Sequence, residues 1–392
     1  MACQVEATQR RLSRRAAMVT GLASIEALLT ACAAPAAPAP PASAYVPSQE
    51  GATETTAGVW QLSGGAVKAV LCGPQGSGPW PLVVYLPGLG EPSDAGERWR
   101  VAWASAGYMV LSVQLLGEDA SAWTSELARN GDFKALGQER FADSATRQRI
   151  GALLEVLAQA RRNADAGPWR RIDWNRIAVA GFDLGAHTAM AIAGERVAGM
   201  DTPLRSRLPA IRAALALSPH AAAKAELDTR YADIRVPVLG VTGDLDTDPL
   251  GLLADARQRA VPFEHMRGPD KYLLSLQGLR HADLSGNATL AANEPAAARS
   301  RGASSGDAGN GQRNRGGRRK ADASQTPQAQ GAAEVRDDPG MSATMRLERL
   351  RTAQGIATAF LDASVKGDPR AQAWLATRAG PSLGTSGELL IK

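Results

Sequence analysis

Short runs of consecutive apolar residues alternate, through the middle of the chain, with stretches whose apolar positions recur every three or four residues. Runs at 59–62 and 67–71, set around Gly64-Gly65, predict an antiparallel entry pair of strands. Leu82-Val83-Val84-Tyr85-Leu86 is an unbroken apolar run that ends in Pro87-Gly88-Leu89-Gly90. Further strands are predicted at 108–113, 176–181, 211–217, 236–242 and 272–276, and helices near 95–106 and 145–163 and from Leu184 and Pro249. Strands that are apolar throughout need cover on both faces. The alternation therefore predicts an α/β fold with a mostly parallel, doubly covered sheet. Ligands of such sheets sit beyond the carboxyl ends of the strands, so chemistry is sought in the residues that follow each one.

The pattern breaks near both ends. Arg10-Arg11 and Arg14-Arg15 precede an apolar stretch at 16–29 that holds one charge, Glu26, and then Leu29-Thr30-Ala31-Cys32. A basic head, a short apolar body and small residues before a cleavage point predict an export signal over 1–31. Leu-Thr-Ala-Cys resembles a bacterial lipobox, which would make Cys32 the lipidated first residue of the mature chain; the paired arginines resemble a twin-arginine signal. The implied location is the periplasmic face of the cell envelope, with the membrane reached through the anchor at Cys32. Residues 32–58 read as an Ala/Pro-rich tether, 59–285 as the folded core, and 341–392 as a helical segment packing on it. Between the last two, 286–340 is a low-complexity insertion whose composition predicts disorder, with seven basic residues and one acid over 299–320.

Composition narrows the function. A chain of 392 residues can bury the core of one large domain, and no apolar run is long enough for a multi-pass membrane protein. Lys and Arg number 44 against 39 Asp and Glu, a net charge of +5 that is too mild and scattered to imply nucleic acid as a partner. If Cys32 begins the mature chain, Cys72 is the remaining thiol, inside an apolar run that predicts burial. No P-loop, dinucleotide fingerprint or zinc spacing occurs, so no cofactor is expected.

Three strand ends hold reactive groups. In Gly181-Phe182-Asp183-Leu184-Gly185-Ala186, glycines two places either side of Asp183, between a strand and a helix, permit a strained turn that lifts the central side chain above the sheet. Gly243-Asp244-Leu245-Asp246 follows a later strand, where a carboxylate can orient a histidine. Gly278-Leu279-Arg280-His281 follows the last predicted strand. Asp183, an acid and His281 thus stand in nucleophile–acid–base order. Asp244 and Asp248 compete with Asp246 for the acid role. Three aspartates at alternate positions also invite a calcium reading, but no closing Glu of an EF-hand follows. His220 is a possible pocket residue, His187 reads as packed, His265 as surface, Ser218 as a structural hydroxyl, and Trp99 and Trp103 as core or pocket wall.

On Leu86-Pro87-Gly88-Leu89-Gly90 and the three segments above, the chain resembles the α/β-hydrolases, and among them the small esterases related to dienelactone hydrolase, chlorophyllase and platelet-activating-factor acetylhydrolase. The resemblance covers 59–285 and resumes from 341. It implies Asp183 at the nucleophile position, His281 as base and Asp246 as its orienter. It further implies the main-chain N–H groups of Leu89 and Leu184 as an oxyanion hole, Gly181 and Gly185 as elbow glycines, and Gly88 and Phe182 at the pocket. Pro87 stands where such esterases often have His, and only 17 residues separate Ser218 from Val236, too few for a large cap domain there. The family's elbow residue is Ser, and here it is Asp. Three readings follow: a hydrolase of small to medium carboxylic esters or lactones with Asp183 as base; an Asp-nucleophile hydrolase of the dehalogenase or epoxide hydrolase type; or an inactive envelope protein that binds or scaffolds. Two carboxylates flanking His281 would favour its charged form, which speaks for the third. The lipobox expectation has a direct check. Cys32→Ser is expected to abolish incorporation of labelled palmitate in a bacterial host, and label retained on the variant refutes it.

Overall fold

The apolar runs of the sequence form the centre of a nine-stranded sheet in order β1-β2-β4-β3-β5-β6-β7-β8-β9. Its strands are β1 Thr53–Leu62, β2 Gly65–Pro74, β3 Trp80–Leu86, β4 Met109–Leu115, β5 Ile172–Phe182, β6 Ile211–Leu217, β7 Val238–Leu245, β8 Lys271–Arg280 and β9 Gly387–Ile391. The computed structural model describes residues 44–115, 117–200, 206–221, 227–287 and 341–392. The expected signal segment, Cys32, most of the Ala/Pro stretch before Tyr45 and the basic stretch 299–320 lie outside the described residues. All described residues belong to one compact unit, Pro41–Lys392. Among them no helix is long and apolar enough to cross a membrane.

Strands β4, β3, β5, β6, β7 and β8 run parallel, and antiparallel β1, β2 and β9 flank them. The period-2 alternation of side chains splits the core in two. Val83, Tyr85, Ala178 and Ala180 face a layer containing Trp99 and Trp103 of α1 (Glu97–Ser105) and Phe360 of α6 (Ala343–Leu361). Leu82, Val84, Ile177 and Val179 face Ile150 and Leu153 of α4 (Asp143–Arg162) and Met190 of α5 (Leu184–Ala193). The chain therefore leaves β3 toward one face, into α1, and leaves β5 toward the other, into α5. These adjacent strands diverge at their carboxyl ends, and that topological switch point is where a parallel sheet opens a crevice.

Several expectations need correction. No helix starts at Pro249. The Asp248 carboxylate accepts hydrogen bonds from the N–H groups of Leu250, Leu252 and Leu253, holding a loop in place of the first helical turn. A 3-10 turn, Ala256–Ala260, and one short helix, Val261–His265, follow. The last segment is not helical to its end, because β9 pairs antiparallel with β8. The core starts inside the expected tether, at Thr53, and it includes Asn287, whose amide binds Glu91 while its Oδ1 accepts from Gly96 N–H. Two short helices, α2 Glu126–Arg129 and α3 Phe133–Arg140, arise where no apolar period signals them. Their starts are set by side-chain caps, with Ser125 and Asp132 accepting from Ala128 and Ala135 N–H.

One buried carboxylate joins distant parts of the chain. Asp362 lies in a π-type turn continuing α6 and is fully buried. It accepts from the hydroxyls of Tyr45 at 2.7 Å and Tyr108 at 2.8 Å, and Lys366 Nζ is 2.8 Å away. Burial and the adjacent carboxylate push both phenols above their usual range. Asp362→Ala would leave the buried Tyr108 hydroxyl without its acceptor and remove the partner of the Tyr45 hydroxyl and the counter-charge of Lys366. It is expected to lower the unfolding free energy by about 3–5 kcal/mol in urea titrations, with Asp362→Asn losing less. A loss under about 1 kcal/mol for the Ala variant refutes the importance of this cluster.

Candidate active site

Asp183 sits between β5 and α5 at φ 51° and ψ −113°, a conformation that costs a residue with a Cβ about 1–3 kcal/mol. Two glycines make the bend possible. A Cβ on Gly185 would collide with the carbonyl oxygen of Leu86, and one on Gly181 with the main chain of Gly185. The start of α5 thereby closes against the end of β3, and hydrogen bonds lock the turn: Asp183 N–H donates to Leu217 O at 3.0 Å, and His187 N–H to Asp183 O at 3.1 Å. Asp183 is 4% exposed, and among the described residues its Oδ1 has no hydrogen-bond partner.

His281 begins the one-turn helix that follows β8. Its ring packs on Phe182 with centroids 4.8 Å apart, and its Nε2 lies 4.0 Å from Asp183 Oδ1. On the other edge, Nδ1 is 2.9 Å from Asp246 Oδ1 and 2.9 Å from Ser218 Oγ. Asp246 is fully buried and accepts from Ser218 Oγ at 2.8 Å and from Thr242 Oγ1 at 2.9 Å. Burial raises its pKa, but the hydrogen bond to His281 and the charge of Arg259 outweigh this and leave it below the ordinary carboxylate range. Of the three clustered aspartates, it is Asp246 that reaches the imidazole. Asp244 accepts from Gly278 N–H at 2.6 Å, and Asp248 holds the loop described above.

The loop after β3 forms the other wall. The side chains of Leu89 and Leu184 belong to one small cluster with Leu136, Phe141 and Leu250, so both residues named for an oxyanion hole border the same pocket wall. Leu184 opens α5, so its N–H has no acceptor within the helix. Gly88 presses on the ring of Phe182, and its N–H donates to Glu91 Oε2 at 2.8 Å. His220 ends up in an aromatic stack, 4.3 Å from the Phe141 centroid, with His187 beyond it at 5.4 Å from Phe141. Burial, seconded by Arg259, lowers His220 to about 4; burial also lowers His187. Both are neutral packing residues at ordinary pH. Cys72, Trp99 and Trp103 are core, and Ser218 is a structural hydroxyl of the acid–imidazole pair.

Sequence reasoning missed three members of the site. Glu91 follows the Gly-rich loop directly, a position that itself could have drawn attention. Gln114 steadies that loop, its Nε2 donating to the carbonyls of Gly88 at 2.9 Å and Glu91 at 2.8 Å. Arg259 lies behind Asp246 in the stretch expected to continue a helix from Pro249, and nothing in the sequence sets it apart. Among the described residues no group of three His, Cys, Asp or Glu side chains is arranged to hold a metal ion. The arrangement joins an unbonded carboxylate oxygen, an oriented imidazole and main-chain donors, the parts needed for proton transfer or nucleophilic attack. Compared with known proteins, the chain matches no family model and no curated protein.

Burial raises Glu91 to about 7, and the charge of Asp183 adds to this, against the opposing bonds from Gly88 and Asn287. An acid whose folded-state pKa is raised contributes stability below its unfolded value near 4.5, and that contribution is lost as pH rises through about 7. Glu91→Gln removes this dependence. Relative to wild type, the variant is therefore expected to gain about 1–3 kcal/mol between pH 4.5 and pH 8 in urea unfolding, and an unchanged difference across that range refutes the assignment.

Proposed function

We propose that the protein is a hydrolase on the α/β-hydrolase plan, acting on small to medium carboxylic esters or lactones through Asp183, Asp246 and His281. One observation carries this reading. A strained elbow holds a carboxylate whose free oxygen is 4.0 Å from His281 Nε2, while His281 Nδ1 is anchored 2.9 Å from Asp246. A separation of 4.0 Å is too long for a direct hydrogen bond and fits two groups that share a third molecule.

In the proposed cycle that molecule is water. Asp183 Oδ1 accepts one of its hydrogens and orients it; His281 Nε2 takes the other as the water oxygen adds to the ester carbonyl. The carbonyl oxygen gains the negative charge and is met by the N–H groups of Leu184 and Leu89. As the tetrahedral adduct collapses, the C–O bond to the alcohol breaks and His281 returns its proton to the departing oxygen. Asp246 holds the ring through both transfers. Retention of backbone strain at Asp183 argues for a working carboxylate over a purely scaffolding role, since a relaxed turn would be more stable. Export and anchoring at Cys32 remain part of the proposal and place the site at the cell envelope.

One observation favours a second route. The unbonded lone pairs of Asp183 Oδ1 suit direct attack on a saturated carbon, which would form an alkyl ester on Asp183 that a His281-activated water then hydrolyses. The two routes separate experimentally. Across a panel of esters, lactones, epoxides and haloalkanes, Asp183→Asn is expected to lose at least about 1000-fold in kcat/KM. His281→Gln is expected to give no covalent adduct by mass spectrometry if water attacks directly, and an alkyl adduct on Asp183 if the carboxylate attacks. Wild type inert toward the whole panel would overturn the hydrolase proposal.

A further inference from the structure

Arg259 closes the far side of the acid–imidazole pair. It lies in the 3-10 turn Ala256–Ala260 and is 1% exposed. Its Nε is 3.6 Å from Asp246 Oδ1 and its Nη2 3.3 Å from His281 Nδ1. The guanidinium is fixed by more than the carboxylate. Nε donates to Asp246 O at 3.4 Å, and Nη1 to the carbonyls of Ser218 at 3.4 Å and Pro219 at 3.2 Å. These carbonyls, at the ends of β6 and β7, keep a full positive charge against the imidazole with no surface route by which to leave it.

The charges around His281 make this consequential. Asp246 meets the Nδ1 edge, with Arg259 behind it; Asp183 meets the Nε2 edge; Glu91 approaches from the loop after β3 and interacts electrostatically with both Asp183 and His281. On the histidine's own short helix, Asp283 is occupied by Arg280 and by Arg346 of α6, each at 3.5 Å. Without Arg259 the ring would stand among carboxylates from three elements. Its doubly protonated form would then aim Nε2–H at Asp183, closing an ion pair across the space where water must enter. With Arg259, the charge of Asp246 is already balanced. Nδ1–H is meanwhile held by two oxygens, Asp246 Oδ1 and Ser218 Oγ, so Nε2 is the nitrogen left with a lone pair.

We propose that Arg259 is a positioning residue that keeps His281 neutral, so that the ring, whose Nδ1 proton is held by Asp246 Oδ1 and Ser218 Oγ, leaves Nε2 able to take a proton beside Asp183. Its purpose rests on the hydrolytic reading above, but its test does not. The chain contains only four histidines, and His187 and His220 are buried and neutral, so the ring of His281 can be followed by NMR in the intact protein and assigned with His281→Gln. Nitrogen shifts of wild type near neutral pH are expected to show a neutral ring carrying its proton on Nδ1; a doubly protonated ring there overturns the proposal without any variant. A charge at this range moves a titration by about 1–3 units, so Arg259→Met is expected to raise the His281 midpoint by about one pH unit or more, a tenfold gain in proton affinity. Arg259→Lys, which keeps the charge, is expected to stay close to wild type. A folded Arg259→Met with an unmoved midpoint, or a lysine variant shifted as far as the methionine one, overturns the proposal. An inactive protein with the shift would sink the hydrolase reading alone, and an active one without it would sink this inference alone.

Discussion

The site depends on one steric constraint, the closure of α5 onto the end of β3. That closure has room only because position 185 has no Cβ, and the bend that permits it forces Asp183 to a positive φ. Once the bend is made, the acidic side chain has no freedom to retreat to solvent. It is buried at the switch point of the sheet, where a helix start offers main-chain donors and where β8 delivers His281 from almost a hundred residues downstream. A larger residue at 185 would separate the elbow from the Gly88–Glu91 loop and dismantle the constellation without touching a reactive group.

Packing brings the groups together, and charge balance decides whether they can work. Glu91, Asp183 and Asp246 are all acidic and all close to one imidazole. Each is managed by a different device. Asp246 is ionised and matched by Arg259 and two hydroxyls. Glu91 is pushed toward neutrality by burial. Among the described residues Asp183 Oδ1 has no partner, so of these three acids it is the one left with an unmet demand for a hydrogen bond. The loop that carries Glu91 is in turn held by Gln114 and Asn287, so this acid is part of the same framework.

Much of this was legible in the sequence, for identifiable reasons. Continuous apolar strands force a two-sided layer, so the sheet and its parallel centre followed from residues such as 82–86 and 211–217. Gly181 and Gly185 marked the elbow because only close approach of two backbones requires their spacing. Asp246 was separable from Asp244 and Asp248 only through the esterase resemblance, and the hydrogen bonds now give each of the three its own task. What escaped was set by tertiary contacts. The helix expected from Pro249 lost to the Asp248 side chain, which offers its N–H groups a nearer acceptor. Strand β9 exists because the edge of β8 needs a partner. Arg259 is buried by what folds around it, and a lone arginine in a polar stretch carries no periodic signal.

On the proposed hydrolase plan, a carboxylate at the elbow in place of a hydroxyl changes the electrostatics of any reaction run there. A serine site begins neutral and gains an ion pair in the transition state. In the proposed reaction an ionised Asp183 would oppose a second negative charge forming on a substrate oxygen nearby. That penalty is offset if the proton has moved to His281 by then, because an imidazolium between Asp183 and Asp246 is stabilised from both edges. Catalysis gains only from interactions stronger in the transition state than before it, so the same carboxylates would slow the reaction if they charged the ring too early. A buried cation behind Asp246 resolves the conflict. It disfavours the imidazolium in the resting site, where no oxyanion balances it, and leaves the two carboxylates to stabilise the ring at the moment it takes the proton.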